Sequence, residues 1–121
     1  MTKKQIVEVV NRSFEDRNID AFLEFCTDDV KWTVVGEKSV IGKAAIREWL
    51  SQSEGCDPPQ FTVITLIAED DIAICNGDMT MKETNGPESR YGFCDVYRFS
   101  DGRIAELTTY IVQTNKDVVS G

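Results

Sequence analysis

The chain has no histidine. That one absence removes an imidazole general base, an imidazole-activated nucleophile and the commonest metal ligand. Its four cysteines, Cys26, Cys56, Cys75 and Cys94, make no C-x-x-C pair, so zinc-site spacing is missing too. They are too widely spaced for the disulfide framework of a small secreted scaffold. They read instead as reduced thiols of a cytoplasmic protein, mostly buried as small apolar groups. Positive charge is scarce: 13 Lys and Arg stand against 21 Asp and Glu, for a net charge of −8. Neither nucleic acid nor an anionic membrane is a natural partner for such a surface. No apolar run approaches the ~20 residues of a membrane-spanning helix. The opening MTKKQIVEVV lacks the apolar stretch and cleavage site of a signal peptide. The acidic pairs Asp28-Asp29 and Asp70-Asp71 fall at a helix end and in a turn, and fit no calcium loop. The expectation is a protein that works without metal or organic cofactor.

What the chain does contain is the composition of one folded domain, spanning 1–121: 41% of its 121 residues are hydrophobic and 28% charged. A helical period governs the first half. Thr2-Lys3-Lys4-Gln5 fits a capping box and opens a helix that runs to about Arg17, with Ile6, Val9, Val10, Ser13 and Phe14 on one face. Asn18 caps a short second helix, with Ile19, Phe22, Leu23 and Cys26 inward, and Thr27-Asp28-Asp29 ends it. Val30 to Val35 is β-branched and aromatic and predicts a strand. Gly36 to Gly42 reads as a loop. It leads into a third helix, KAAIREWLSQ, whose apolar face is Ala45, Ile46, Trp49 and Leu50. Ser53 to Pro59 is a connection too short to separate domains.

From Gln60 the period becomes that of strands. QFTVITLIAE, DIAICNGDMTMKE, Arg90–Phe99 and Arg103–Val112 follow one another, separated by Asp70-Asp71, Asn85-Gly86-Pro87 and Ser100-Asp101-Gly102. Asp-Gly between alternating apolar runs is a strong hairpin signal. Short turns make the strands an antiparallel meander. Gln113 to Gly121 is polar and reads as a loose end. The layout is α+β, with helices packed on one face of a curved sheet.

The strands carry apolar residues on both faces. In the run from Phe61 to Ala68, strict alternation puts Phe61, Val63 and Ile67 on one side and Ile64, Leu66 and Ala68 on the other. Three short helices cover only one face, and a second copy of the chain is the simplest cover for the other. A homodimer built on the sheet face is therefore expected.

Three stretches, NIDAFLEFCTDDVKW, GKAAIREWL and DVYRFSDGRIAEL, taken in this order and spacing, resemble the nuclear transport factor 2-like superfamily, which includes ketosteroid isomerases and SnoaL-like polyketide cyclases. The resemblance implies a cone-shaped α+β barrel. Its three helices, all in the N-terminal half, would pack on a strongly curved mixed or antiparallel sheet and enclose an apolar pocket. Such folds host isomerases, cyclases, dehydratases and non-catalytic modules, so the fold leaves function open. Ketosteroid isomerases use an aspartate base together with a tyrosine and a protonated aspartate that hold the oxyanion. Matched to this chain, the oxyanion acid falls on Asp95, the base on Val34 or a neighbour, and the tyrosine near Val10. Steroid isomerisation by that mechanism is therefore not expected.

Asp95 is the candidate catalytic residue, a carboxylate set among Phe93, Cys94, Val96 and Tyr97. Facing an apolar pocket, it would have a raised pKa and could donate to a ligand oxygen or act as a base. Tyr97 and Tyr91 share its strand face and could orient a ligand, or simply pack. Trp32, Trp49 and Phe14 offer flat apolar surface, Met79 an adaptable one. Thr109 and Tyr110 have opposite parity, and an ungapped match turns Thr109 inward. Asp78, following Gly77, marks a bulge or a solvated face more readily than a second polar group of the pocket. Cys94 points away from Asp95, has no activating base, and reads as buried and inert. Two readings stand at this point. One is a cofactor-free isomerase, cyclase or dehydratase that binds a small apolar, oxygen-bearing molecule and moves its protons through Asp95. The other is a non-catalytic ligand-binding or dimerisation module.

Overall fold

The computed structural model describes residues 1–52, 57–82 and 86–114. Three helices, α1 (Lys3–Glu15), α2 (Ile19–Glu24) and α3 (Lys43–Ser51), pack on a sheet of six strands. The strands are β1 (Cys26–Val34), β2 (Lys38–Ile41), β3 (Gln60–Glu69), β4 (Ile72–Lys82), β5 (Glu88–Ser100) and β6 (Arg103–Gln113). Their order across the sheet is β2-β1-β6-β5-β4-β3. Every neighbouring pair is antiparallel except β1 with β6, which run parallel. The sheet is mixed, and it curls around the helices without closing.

Local chemistry sets most boundaries. At the start of α1, Gln5 N donates to Thr2 Oγ1 at 3.1 Å and Thr2 N donates to Gln5 Oε1 at 2.8 Å, a complete capping box. The helix ends without glycine. Arg17 takes a left-handed conformation (φ 57), its N–H donates to Phe14 O, and Asn18 N–H donates to Ser13 O. That is the Schellman pattern, and it stops the helix two residues before the sequence pattern does. The inward face of α1 is also rotated: Val7, not Val9, is fully buried beside Ile6 and Val10. In α3 only Ile46 is fully buried, and Ala45 is exposed. The β5–β6 hairpin turns on Asp101 (φ 50) and Gly102 (φ 80), the two positive φ values of a type I′ turn.

Three expectations need correction. The stretch from Gly36 to Gly42 is not all loop, because Lys38–Ile41 forms β2 against β1. That strand is four residues long and mostly exposed, so it carries no alternating apolar signal. The first strand begins at Cys26 rather than Val30, which moves Cys26 from the end of a helix to the start of β1. The third correction is the parity of β3. Its register against β4 shifts between Val63 and Thr65. The extra residue flips everything after it, so that Phe61, Leu66 and Ala68 pack on the core while Ile67 faces out. Gly77 lies opposite this bulge. A Cβ there would stand 2.0 Å from Thr62 O, so the close approach of the two backbones requires glycine. Of the predicted connections, residues 53–56, Asn85 and residues 115–121 lie outside the described residues.

The core lies between the helices and the concave face of the sheet. It joins Val7, Val10, Phe22, Leu23 and Ile46 from the helical side to Ala73, Cys75, Phe93, Tyr97, Ile104 and Leu107 from the strands. No helix among the described residues is long and apolar enough to cross a membrane.

Candidate functional site

On β5 the odd-numbered residues from Phe93 to Phe99 face the core and are buried. Asp95 is one of them, with 8% of its surface exposed. It sits opposite Cys75 on β4 and Thr109 on β6, so the three form a row across the concave face. Thr109 Oγ1 donates to Asp95 Oδ1 at 2.8 Å. Trp32 Nε1 donates to Thr109 Oγ1 at 2.9 Å. The parallel pairing of β1 with β6, which sets Val34 beside Thr109 and Trp32 beside Leu107, brings the indole within reach. Thr109 faces inward and Tyr110 outward, half exposed at 49%.

The electrostatics of Asp95 follow from its surroundings. Burial pushes its pKa from 3.8 up to about 6, and the Thr109 hydrogen bond pulls it partly back. No described Lys or Arg forms an ion pair with it. Arg98 on the same strand faces Glu106 instead, at 3.9 Å. Thr109 is its one hydrogen-bond partner among the described residues, and it bonds to Oδ1. Oδ2 accepts from no described residue, yet it is not sealed from solvent. One carboxyl oxygen is thus tied down and the other is left open.

An aromatic wall adjoins this group. Trp32 lies 5.5 Å from Phe14, 5.6 Å from Phe22 and 5.0 Å from Trp49, measured between ring centroids. The Lys38 ammonium sits 5.5 Å above the Trp49 ring. Phe14, Trp32, Trp49 and Thr109 are all half-buried, so the concave face is open here. This open stretch of the concave face is the hollow of the site. Two surface depressions, one beside Asp57, Gln60, Thr80 and Lys82 and the other beside Thr27, Asp28, Asp101 and Arg103, do not include Asp95.

The other candidates are placed less favourably. Tyr97 has 0% exposure, and its hydroxyl is buried without a described partner. Burial and the nearby Asp95, Cys75 and Cys26 push its pKa well up. It has no surface to offer a ligand. Tyr91 is half-buried but pairs with Met79 and Gln113 near the other end of the strand, roughly 13 Å from Asp95 at the usual rise per residue. Met79 is a buried core residue. Asp78 is exposed on the outer face. Cys94 points outward and is half-buried rather than buried, and burial raises its pKa. Cys56 lies outside the described residues.

Two neighbours of the site escaped the sequence reading. Asn11 is buried on α1 and its Nδ2 donates to Cys75 Sγ at 3.6 Å, while its Oδ1 has no described partner. An amide on the apolar face between Val7, Val10 and Phe14 was the available signal. Cys75 itself is buried across from Asp95, with a pKa raised by burial. Among the described residues no group of three or more His, Cys, Asp or Glu is arranged to hold a metal.

Solved structures share this architecture. A nuclear transport factor 2-like protein of unknown function from Burkholderia pseudomallei superposes with a TM-score of 0.82 at 18% identity, covering 90% of each chain. A putative polyketide cyclase from Xanthomonas campestris gives 0.79 at 20% identity, over 88% of this chain and 87% of that one. An LEH-like epoxide hydrolase from M. tuberculosis gives 0.77 at 18% identity, over 89% and 80%. At such identities the likeness concerns the fold alone. No curated protein matches the sequence. The sequence of residues 7–107, from the middle of α1 into β6, does match the SnoaL-like domain, and the chain belongs to that family.

Proposed function

We propose that this protein binds a small, mostly apolar, oxygen-bearing molecule against the Phe14–Trp32–Trp49 wall and exchanges a proton with it through Asp95. The reaction class is isomerisation, cyclisation or dehydration, without metal or organic cofactor. One observation carries the reading. Asp95 is a buried carboxyl with no charged partner among the described residues, one oxygen held by a neutral hydroxyl and the other open. Such a group changes its protonation near neutral pH, as an acid–base catalyst must. Among proteins of the same fold are a putative polyketide cyclase and an epoxide hydrolase, which agrees with chemistry in the cone.

A thermal-shift screen with hydrophobic ketones and phenols tests the binding. Hits should raise the melting temperature of the wild type and do so less for Asp95→Asn. Equal shifts in both proteins would remove Asp95 from the site. Hydrogen–deuterium exchange at the carbon next to the carbonyl of a ketone hit tests the chemistry, and should stop in Asp95→Asn. A second reading, a non-catalytic binding module, is favoured by the valines at positions 10 and 34 and by the enclosure of Tyr97. It holds if hits bind in an Asp95-dependent way but exchange no hydrogen.

The partner we propose is a second copy of the chain. The convex face carries Ile67, Ile74, Val96, Tyr110 and Val112 on neighbouring strands, with exposures up to 64% at Val112. The helices pack on the concave face, so a twofold pairing of convex faces would bury this apolar band. Sedimentation should show a dimer that Tyr110→Asp dissociates; a wild-type monomer would refute it. The unpaired thiols Cys26, Cys75 and Cys94 support a reducing, cytoplasmic setting.

A further inference from the structure

The hydrogen bonds from Trp32 through Thr109 to Asp95 have a direction. An indole N–H donates and cannot accept, and an ionised carboxylate accepts and cannot donate. The hydroxyl between them, 2.9 Å from the indole nitrogen and 2.8 Å from Oδ1, must accept from the first and donate to the second. Among the described residues it has no other acceptor.

We propose that Trp32 is a positioning residue: by filling a lone pair of the Thr109 hydroxyl it keeps that hydroxyl aimed at Oδ1 of Asp95, so that Oδ2 alone gives and takes the proton facing the hollow. This rests on Asp95 being the polar group of the site.

In the neutral carboxyl the proton has two places to go. On Oδ1 it would donate to Thr109, and the threonine's own hydrogen would have to leave its acceptor and turn toward solvent. On Oδ2 it leaves the Thr109 bond intact and points at the ligand. The indole favours the second arrangement, because the hydroxyl it holds cannot swing round freely to accept from Oδ1. Neutral Asp95 is then a donor to a ligand carbonyl. Ionised Asp95 is an acceptor for a ligand hydroxyl or the base for an acidic C–H. Both act at the same atom, and no bond inside the protein changes partner. The titratable groups around Asp95 do not interfere. Cys75 on β4 and Cys94 and Tyr97 on β5 are all held protonated by burial, and Asn11 on α1, which reaches Cys75, does not titrate. No described cation pairs with Asp95 from any element.

The test is a ligand-free titration of the full chain carrying 13C-carboxyl aspartate, with the Asp95 signal assigned by its loss in Asp95→Asn. The wild type should titrate near 6. Thr109→Val removes the only donor among the described residues and should raise the midpoint by about one pH unit. Thr109→Ser restores the hydroxyl and should return the midpoint to the wild-type value. Trp32→Phe keeps an aromatic ring and leaves Thr109 in place, yet should raise the midpoint by about a third to a half of the Thr109→Val shift. An unchanged midpoint in Trp32→Phe, alongside a shifted Thr109→Val, would overturn the inference while leaving Asp95 as the site's acid. A wild-type midpoint near the ordinary carboxylate value would overturn both. If Trp32→Phe does not fold, replacing both tryptophans biosynthetically by benzothienylalanine removes the N–H and keeps the ring shape, with the same expected shift.

Discussion

Replacing Asp95 with asparagine should make this protein more stable at neutral pH, and the gain should vanish in acid. In the unfolded chain the carboxyl titrates near 3.8; in the fold, burial raises that to about 6. Between those values the native state binds the proton more tightly than the unfolded state does. Stability therefore falls as pH rises through the window, and the full loss is present above about 6. That displacement corresponds to about 3 kcal/mol. Asparagine keeps a carbonyl oxygen for the Thr109 hydroxyl and carries no charge to bury. The difference between variant and wild type should be near zero below 3.8 and should grow to about 3 kcal/mol in the variant's favour above 6, worth roughly 10 °C in melting temperature for a domain this size. Urea denaturation of both proteins at about pH 3.5, 5 and 7.5 measures it, since all other carboxylates titrate alike in the two and cancel. A gap that does not change with pH would refute the reasoning, and so would a wild type more stable than the variant at neutral pH. Either result would mean that the carboxylate is better solvated or better paired than its bond to Thr109, the one partner among the described residues, implies.

Gly77→Ala should destabilise by about 3 kcal/mol or more in denaturant titrations, because its methyl group would meet the backbone of Thr62 and neither strand can yield at the bulge. A loss of less than about 1 kcal/mol would show that β3 shifts freely there. Tyr97→Phe removes a buried hydroxyl that has no described partner and should stabilise by about 1 kcal/mol; a clear loss would reveal a bridging water. Iodoacetamide followed by mass spectrometry should leave Cys26 and Cys75 unmodified at pH 8, since both are buried and the Cys26 thiol is pushed up to about 12. Cys94, half-buried on the convex face, should react slowly, and the proposed pairing of convex faces should protect it further. Faster labelling at Cys26 than at Cys94 would contradict the burial order.

How much of this was legible depends on how local each cause is. The type I′ turn at Asp101-Gly102 and the capping box at Thr2 and Gln5 are written in adjacent residues, and both could be read directly. Strand parity put Asp95 on one face with Tyr91 and Tyr97, and alternation does hold along β5, but parity alone did not say that this face is the buried one. β2 could not be read, because its four exposed residues are a strand only by virtue of β1 beside them. The parity of β3 failed for a related reason. One extra residue, accommodated opposite Gly77, reverses the faces of everything beyond it, and only the glycine hinted at this. The links that matter most for the site were the least legible. Trp32 and Thr109 are 77 residues apart, and they meet because one strand of the first half runs parallel to the last strand of the second.

On the function proposed above, that crossing explains how a chain without histidine holds a proton-exchanging side chain. A solvated aspartate titrates far too low to serve near neutral pH. Desolvation raises it here, and desolvating a carboxyl without losing control of its orientation needs a neutral donor fixed at one oxygen. Thr109 is such a donor. A lone threonine on a half-open face would also be free to rotate toward water, so something has to hold its hydroxyl. The indole of Trp32, which can only donate, does that with the same ring that forms the apolar wall. Truncating Trp32 should therefore damage binding and proton transfer together, whereas truncating Trp49, which shares the wall but makes no bond to Thr109, should weaken binding of an apolar ligand and leave the titration of Asp95 where it was.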